Sequence, residues 1–522
     1  MSASLPVIVP TQGRMTEPAW VSPSGYPLIG KDILELLSSS MYVNPLTIFR
    51  EYLQNAADAI DEARRTGLLK AGQVGKVDIK VDHENRVICI RDNGTGLGSK
   101  EFVSRMLAFG NSRKRGSKAR GFRGVGRLAG LGYARELIFR TRTAGDQNVT
   151  ELRWDCRSLK MALREHQSKE NIEELVRRIV SERTIRGNGF PTHFFEVELR
   201  EIVRHGDDVL LNRSAIESYL AQVAPVPFAP SFKFAAQIQE KLSPHVELGN
   251  VHIYVNGSDT PLYRPHKNTF EVRKGISDQF TTVDFVELPG TDGKMAALGW
   301  ILHHSYQGAL PPSAAIKGLR LRRGNLQVGE SNCLDDIFVE PRFNSWSVGE
   351  IHVLDPRITP NGRRDYFEHG VHFKNLKDQL APHAEKLIRI CRTSSIRRNW
   401  ERRFDQLLAS VTTLLGVLTQ SAISETKRAE MVNQIEERIA NLEKIAVLQT
   451  LEATTSVQFK KEVQDARAKL NRLSGSGADH NKLAKLGRTE RKMAKQIIDL
   501  IYTVSSDEAT AKILVQRILR RL

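Results

Sequence analysis

The sequence predicts an α+β protein in three parts: a mixed helix and strand region over residues 27–215, a second mixed region over 216–379, and an all-helical region over 380–522. Three observations predict this. Up to about residue 200, short strand-like runs bounded by polar turns are interspersed with helical spacings. Proline-rich breaks at 224–230 and at Pro311 and Pro312 punctuate the second part. Proline is absent after Pro382, and Met431, Ile435, Ile439, Leu442 and Ile445 recur at fours and threes, the period of a helical hairpin or coiled-coil arm.

The first helix is expected to begin at Asn44 and Pro45, because Asn caps free N–H groups and Pro suits a first turn. It carries Phe49, Leu53, Ala57 and Ile60 on one apolar stripe. Val77–Val81 and Val87–Ile90 read as strands joined by a five-residue polar turn, hence an antiparallel hairpin. Residues 111–132 hold six glycines among many basic residues, the composition of a mobile loop feeding a helix. Further strands are expected at Glu136–Thr141, Thr150–Trp154 and Thr192–Leu199, which makes a sheet of at least four. Ser474 to Gly477 should break the helical region, with two more helices reaching Leu522.

With 522 residues, 40% apolar and 26% charged, the chain is expected to be globular. No apolar run approaches the ~20 residues of a membrane helix, and the first 23 residues lack a secretory pattern, so a cytoplasmic protein without a membrane partner is expected. Four scattered cysteines argue for reduced, structural thiols. Lys and Arg outnumber Asp and Glu by 77 to 60, a net +17 that permits a polyanion partner. From residue 381 onward the count is 26 against 16, so more than half of the surplus lies in the helical region.

Three segments carry chemistry. Glu51, Asn55 and Asp58 stand four and three apart and share one helix face. A carboxylate there can activate water while an amide one turn away ligates Mg²⁺, a hard cation that keeps most of its shell for phosphates and water. Asp92 ends a strand and is followed by Gly94 and Gly96, so its carboxylate at the sheet edge can accept from an adenine amino group, where guanine would present a carbonyl. Gly121, Gly124 and Gly126 flank Val125 in a loop whose backbone N–H groups can approach phosphate. The GxxGxG spacing is neither the dinucleotide fingerprint nor a P-loop.

In this order, within about eighty residues, the three segments resemble the boxes of the GHKL ATPases, the family of gyrase, the heat-shock chaperone, histidine kinases and mismatch-repair ATPases. Glu51–Ile60 looks like the N-box, Asp92–Leu97 the DxGxG box and Gly121–Gly132 the second glycine box, while Pro191-Thr192 is similar to the Gly-Thr that closes the adenine pocket. The resemblance implies a Bergerat-type α/β sandwich over 27–215 that takes ATP and Mg²⁺, a transducer domain over 216–379, and a C-terminal region for dimerisation or partner docking. It implies Glu51 as general base and Asn55 as the Mg²⁺ ligand. Asp92 would read adenine, with Asp58, Ala59, Gly94, Gly96, Leu97 and Thr192 around the base. Gly121, Gly124, Val125 and Gly126 would lie at the phosphates under a lid formed by 111–120. The acid at position 51 separates this chain from the histidine-kinase branch.

Ile358–Phe367 resembles the middle-domain loop of the heat-shock protein 90 chaperones, which implies Arg364, or its neighbour Arg363, as the γ-phosphate arginine, supported by Asn361. Gly121–Gly124 and Arg140–Thr143 are closer to mismatch-repair ATPases. Two expectations follow: a homodimeric, chaperone-like switch acting on a protein client, or a clamp acting on DNA through the basic C-terminal region, like the mismatch-repair or microrchidia ATPases. In either, the helical tail can be a docking arm for a partner enzyme, as in multi-gene bacterial systems including phage defence.

Overall fold

The computed structural model describes residues 44–108, 126–165, 170–204, 206–248, 251–419, 423–475, 486–505 and 507–521, together with Lys31, Leu34 and Leu483. Helix α1 spans Thr47–Arg65. Asn44 Oδ1 accepts from the Leu46 amide at 3.0 Å in the turn ahead of it, so the helix starts two residues after Pro45. Phe49, Leu53, Ala57 and Ile60 are buried, as their spacing requires, and Arg64 and Arg65 in the last turn complement the helix dipole.

The expected hairpin is β1 (Gly75–Asp82) against β2 (Val87–Asp92), in register from Val77 opposite Asp92 to Asp82 opposite Val87. After α2 (Ser99–Leu107) come β3 (Glu136–Arg142), β4 (Asn148–Asp155), α3 (Cys156–Arg164), α4 (Ile172–Ile179), β5 (Val180–Arg186), β6 (Phe194–Arg200) and α5 (Arg213–Val223). The sheet has seven strands in the order β5-β4-β3-β6-β2-β1-β7. Its last member, β7 (Val251–Val255), pairs parallel with β1, whereas the other neighbours are antiparallel. The first core therefore extends past residue 215, taking in Ile216 and Leu220 of α5 and all the inward residues of β7. The face away from α1 is charged: Arg140 bonds Glu151 at 2.6 Å and Glu196 at 2.7 Å, and also Glu198.

The second domain adds α6 (Ala235–Leu242), the two-stranded β8 (Thr269–Arg273) and β9 (Ile276–Gln279), and a five-stranded sheet. Its strands are β10 (Thr282–Pro289), β11 (Met295–His303), β12 (Gly318–Arg323), β13 (Leu326–Val328) and β14 (Val348–Val353), ordered β10-β11-β14-β12-β13. One face packs on α6 through Ile238 and Leu242. The other packs on the start of α7 (Val371–Leu418), a 48-residue helix that continues through Pro382.

Helix α7 contributes Phe373 to Cys391 to the second core and Phe404 to Leu418 to the third, so one rod of roughly 72 Å joins the two. The third core is closed by α8 (Glu425–Ala446), α9 (Ala453–Gly475), α10 (Arg488–Val504) and α11 (Glu508–Leu519). The five α8 residues with the four-three spacing are all buried in it. Among the described residues no helix is long and apolar enough to cross a membrane.

Candidate functional site

Helix α1 supplies the floor of the site. Glu51 is buried, while Asn55, Asp58 and Ala59 are half-buried along the adjoining turns. Strand β2 delivers Asp92 to the sheet edge beside them, 6% exposed. Asp92 Oδ1 accepts from the Gly94 amide at 2.8 Å, and the Phe195 amide donates as well. Burial dominates, and the carboxyl is pushed up to about 7. Among the described residues no cationic side chain pairs with it. A buried, uncompensated acceptor of this kind suits a neutral N–H donor such as an exocyclic amine.

The turn after β2 is pressed onto α1. A Cβ at Gly94 would lie 2.6 Å from Ala59 Cβ and 2.8 Å from Asp92 Oδ1. Gly96 adopts φ +66°, and a Cβ there would lie 2.0 Å from the Arg142 carbonyl oxygen. Leu97 is anchored by its amide donating to Thr141 Oγ1 at 2.8 Å. At the other end of the floor, Tyr52 Oη donates to the Arg127 carbonyl at 3.3 Å and accepts from the Gly130 amide at 2.9 Å. This fixes the 3₁₀ segment Gly126–Gly132 over α1. Gly126 then sits so close to Glu51 that a Cβ would lie 2.5 Å from Oε2. The cradle thus runs continuously from Gly126 over Glu51, Asn55 and Ala59 to Gly94 and Asp92.

Gly121, Gly124, Val125 and the 111–120 segment lie outside the described residues. Thr192 is exposed, in the bend ahead of β6. The residue at that strand entry that touches the site is His193, whose Nδ1 donates to the Gly94 carbonyl at 2.8 Å.

The second domain reaches into this floor. Arg364 Nε stands 3.8 Å from Glu51 Oε2. Its loop is a tight turn in which Asn361 accepts from the Arg364 amide at 3.1 Å and donates to the Tyr366 carbonyl at 2.9 Å, with Arg364 itself at φ +56°. A non-glycine residue in that region costs about 1 kcal/mol or more, so the conformation is imposed by its surroundings. The surroundings include a residue that sequence reasoning passed over. Arg50 Nη2 donates to the Arg363 carbonyl at 2.9 Å and Nη1 to the Arg364 carbonyl at 3.3 Å, while Nη2 also contacts Glu51 Oε1 at 3.3 Å. Glu51 is therefore flanked by two guanidinium groups, one from each domain.

The residues present fit an adenine nucleotide. Two glycines stand where a Cβ would invade the cradle, and a buried carboxyl stands where an amino group could meet it. Among the described residues no cluster of three or more His, Cys, Asp or Glu is placed to hold a metal ion. A Mg²⁺ coordinated largely by phosphate and water needs only one protein oxygen, and Asn55 is the amide on this face.

Residues 45–182 match the family described as histidine kinase-, DNA gyrase B-, and HSP90-like ATPase. Among curated proteins, the chain is 32% identical to the chaperone protein HtpG of Anaplasma marginale over 117 residues, 20% of this chain and 18% of that protein. It is 30% identical to HtpG of Coxiella burnetii over 142 residues, 24% and 22% of the two chains. The match to HtpG of Fusobacterium nucleatum is 37% over 93 residues, 17% and 15%. The chain thus aligns with about a fifth of the length of these relatives. The N-terminal part of the chain carries a GHKL-type ATPase domain with relatives in the heat-shock protein 90 family.

Proposed function

We propose that the chain is a Mg²⁺-dependent ATPase that works as a chaperone-like, homodimeric switch, coupling closure of the nucleotide site to remodelling of a protein partner. The observation that carries this reading is the approach of Arg364 to Glu51, which brings a cation from the second domain to the acid proposed as base in the first. In a site of this kind Asp92 accepts the adenine amino group, with Ala59, Gly94, Gly96, Leu97 and His193 around the base and Asp58 beside them. Asn55 holds the Mg²⁺, which supplies charge neutralisation at the phosphates. Gly126, with Gly121, Gly124 and Val125 ahead of it, takes the phosphate end beneath residues 111–120.

Glu51 removes a proton from the attacking water, and Arg364 moves from the carboxylate to the γ-phosphate, where charge grows in the transition state. Arg50 keeps the loop in register meanwhile through the two carbonyl bonds. Closure requires both domains, so hydrolysis and domain position are linked. Dimerisation is assigned to the helical region: α10 exposes Met493, Ile497, Leu500 and Val504 at four-three-four spacing, the seam pattern of paired helices.

The test is ATP turnover by the full chain alone, with an unfolded polypeptide and with duplex DNA. Stimulation by polypeptide is expected. Stimulation by DNA without any by polypeptide would replace the chaperone reading with the clamp on DNA, and absence of turnover under all three conditions would remove the ATPase reading.

A further inference from the structure

Behind the docked loop, between the first and second domains, lies a cavity of about 240 Å³. None of Glu51, Asn55, Asp58 or Asp92 lines it. Its walls include Thr47 and Arg50 of α1, Tyr219 and Gln222 of α5, Arg320 of β12 and Arg363 of the loop.

Arg320 is the informative member. It is 5% exposed, and among the described residues its guanidinium donates to neutral acceptors alone: Gln222 Oε1 at 3.0 Å, Gln327 Oε1 at 3.1 Å and the Lys317 carbonyl at 3.3 Å. Burial pulls it down to about 10, so it stays charged at neutral pH. The nearby Glu350 is committed elsewhere, to Arg264 and, at 2.6 Å, to Arg322. A buried cation without a carboxylate partner is costly unless an anion meets it.

The distribution of charge around the cavity has a direction. Both buried ionised wall residues, Arg50 and Arg320, are cationic, whereas the two lining carboxylates, Glu330 and Asp365, are exposed, as is Arg363. Attraction is therefore strongest on the inner, low-dielectric side, where it is least screened. Beside those guanidinium groups stand the hydroxyls of Thr47 and Tyr219, which can donate to oxygen, while the Gln222 and Gln327 amides hold Arg320 with their oxygens and spend their N–H groups on the Ser218 and Gly329 carbonyls. At about 30 Å³ of liquid volume per water, the space takes a tetrahedral oxyanion together with bridging waters.

We propose that this cavity is an oxyanion site for orthophosphate, or for the phosphate group of a small solute, anchored by Arg320 and Arg50. Because Arg363 and Asp365 form part of the wall, occupancy steadies the loop that carries Arg364. The binding itself is independent of the ATPase reading; the effect on turnover rests on it.

The experiment titrates orthophosphate into the nucleotide-free full chain, by calorimetry or ³¹P line broadening, in wild type, R320Q and R363Q, and repeats the wild-type titration with a saturating non-hydrolysable ATP analogue filling the nucleotide pocket. Millimolar or tighter binding is expected, weakened about tenfold or more in R320Q, less in the exposed R363Q, and kept with the analogue present. Thermal unfolding of R320Q checks that it is folded, and R363Q carries the test if it is not. Binding lost with the analogue present but kept in R320Q and R363Q would place the anion in the nucleotide pocket and overturn the proposal, as would no binding in wild type. During turnover, added orthophosphate that inhibits wild type more than R320Q identifies product phosphate as the source. Binding by the resting chain without that difference identifies phosphate from solution. Phosphate binding that depends on Arg320 in a chain without ATP turnover would sink the ATPase reading and leave this site standing, and the converse result would do the opposite.

Discussion

Asp92 offers the sharpest test of the pocket, because its environment ties stability and ligand binding to one proton. An aspartate ordinarily titrates near 3.8, and burial pushes this one up to about 7. Between those values the folded chain holds a proton that the unfolded chain has released. Its contribution to stability therefore falls as pH rises from about 4 to about 7 and is level above that. At about 1.4 kcal/mol per tenfold, keeping the carboxylate ionised in the folded chain at pH 8 costs on the order of 4 kcal/mol. The D92N variant cannot ionise. It should be more stable than wild type above pH 7, with the advantage vanishing towards pH 4, as read by urea midpoints across that range. Nucleotide binding runs the other way, since the ionised form is the better acceptor for adenine N–H. ADP affinity of wild type should drop about tenfold from pH 8 to pH 6, beyond the change that phosphate protonation causes in D92N. At pH 8 the variant should bind ADP weaker by about 2 kcal/mol, the worth of a hydrogen bond to a charged group. Equal ADP affinity in the two proteins, or a wild-type affinity with the same pH profile as the variant's, would refute the assignment of Asp92 to the adenine.

Replacing Glu51 with Ala should leave nucleotide binding intact while lowering kcat by about 10² to 10⁴, and full turnover in that variant would remove Glu51 as the base. R364A should lower kcat by about 10² with little change in nucleotide affinity, and a loss confined to affinity would place Arg364 in ground-state binding instead. In G96A the new Cβ meets the Arg142 carbonyl at 2.0 Å in a left-handed backbone, so a loss of about 2 kcal/mol or more is expected in chemical denaturation. Leu500 is 61% exposed on the α10 seam, and L500E should shift sedimentation towards monomer without lowering the thermal midpoint of the helical domain.

Local patterns were readable where the fold obeys them locally. The α1 stripe and the β1–β2 hairpin need only spacing and a short turn, and both stand where the residues put them. Strand β5 was not readable, because Val180–Arg186 is a polar edge strand whose residues are mostly exposed and show no apolar alternation. Strand β7 alternates well, but its parallel pairing of Val255 with Ile79 depends on a crossover through most of the domain, which no local window contains. Helix α7 passes through Pro382, held on both sides by buried Leu380 and Ala384. In the site, the four-three spacing of Glu51, Asn55 and Asp58 was visible, whereas Arg50 looked like any surface cation. Its partners are backbone carbonyls 313 and 314 residues away. His193 was hidden because it lies in the bend ahead of β6, and its bond to the Gly94 carbonyl joins residues 99 apart in the chain.

The contacts between the two domains are unequal, and the inequality decides how they can move. At the loop end, Arg50 makes two bonds to carbonyls, and Arg364 is 3.8 Å from its carboxylate. At the α5 end, Arg322 Nη2 donates to the Gln222 carbonyl at 2.5 Å and Nη1 to the Ala224 carbonyl at 3.4 Å, while Arg264 Nε donates to the Val226 carbonyl at 3.1 Å. Both of those arginines are buried and share Glu350, so removing them from their carbonyls would strand charge in a low dielectric. The loop end has less to lose, since Arg50 can keep Glu51 and Arg364 can exchange a carboxylate for a phosphate. If the domains move as the proposed switch requires, the loop should yield first, with the α5 carbonyls as the pivot. The second sheet packs on the first half of α7, so a rotation of the kind the proposed switch requires would pass along that helix into the third core. Hydrogen exchange of the 361–367 amides should accordingly respond to nucleotide while the Val223–Val226 amides stay protected, and equal response at both ends would place the pivot elsewhere.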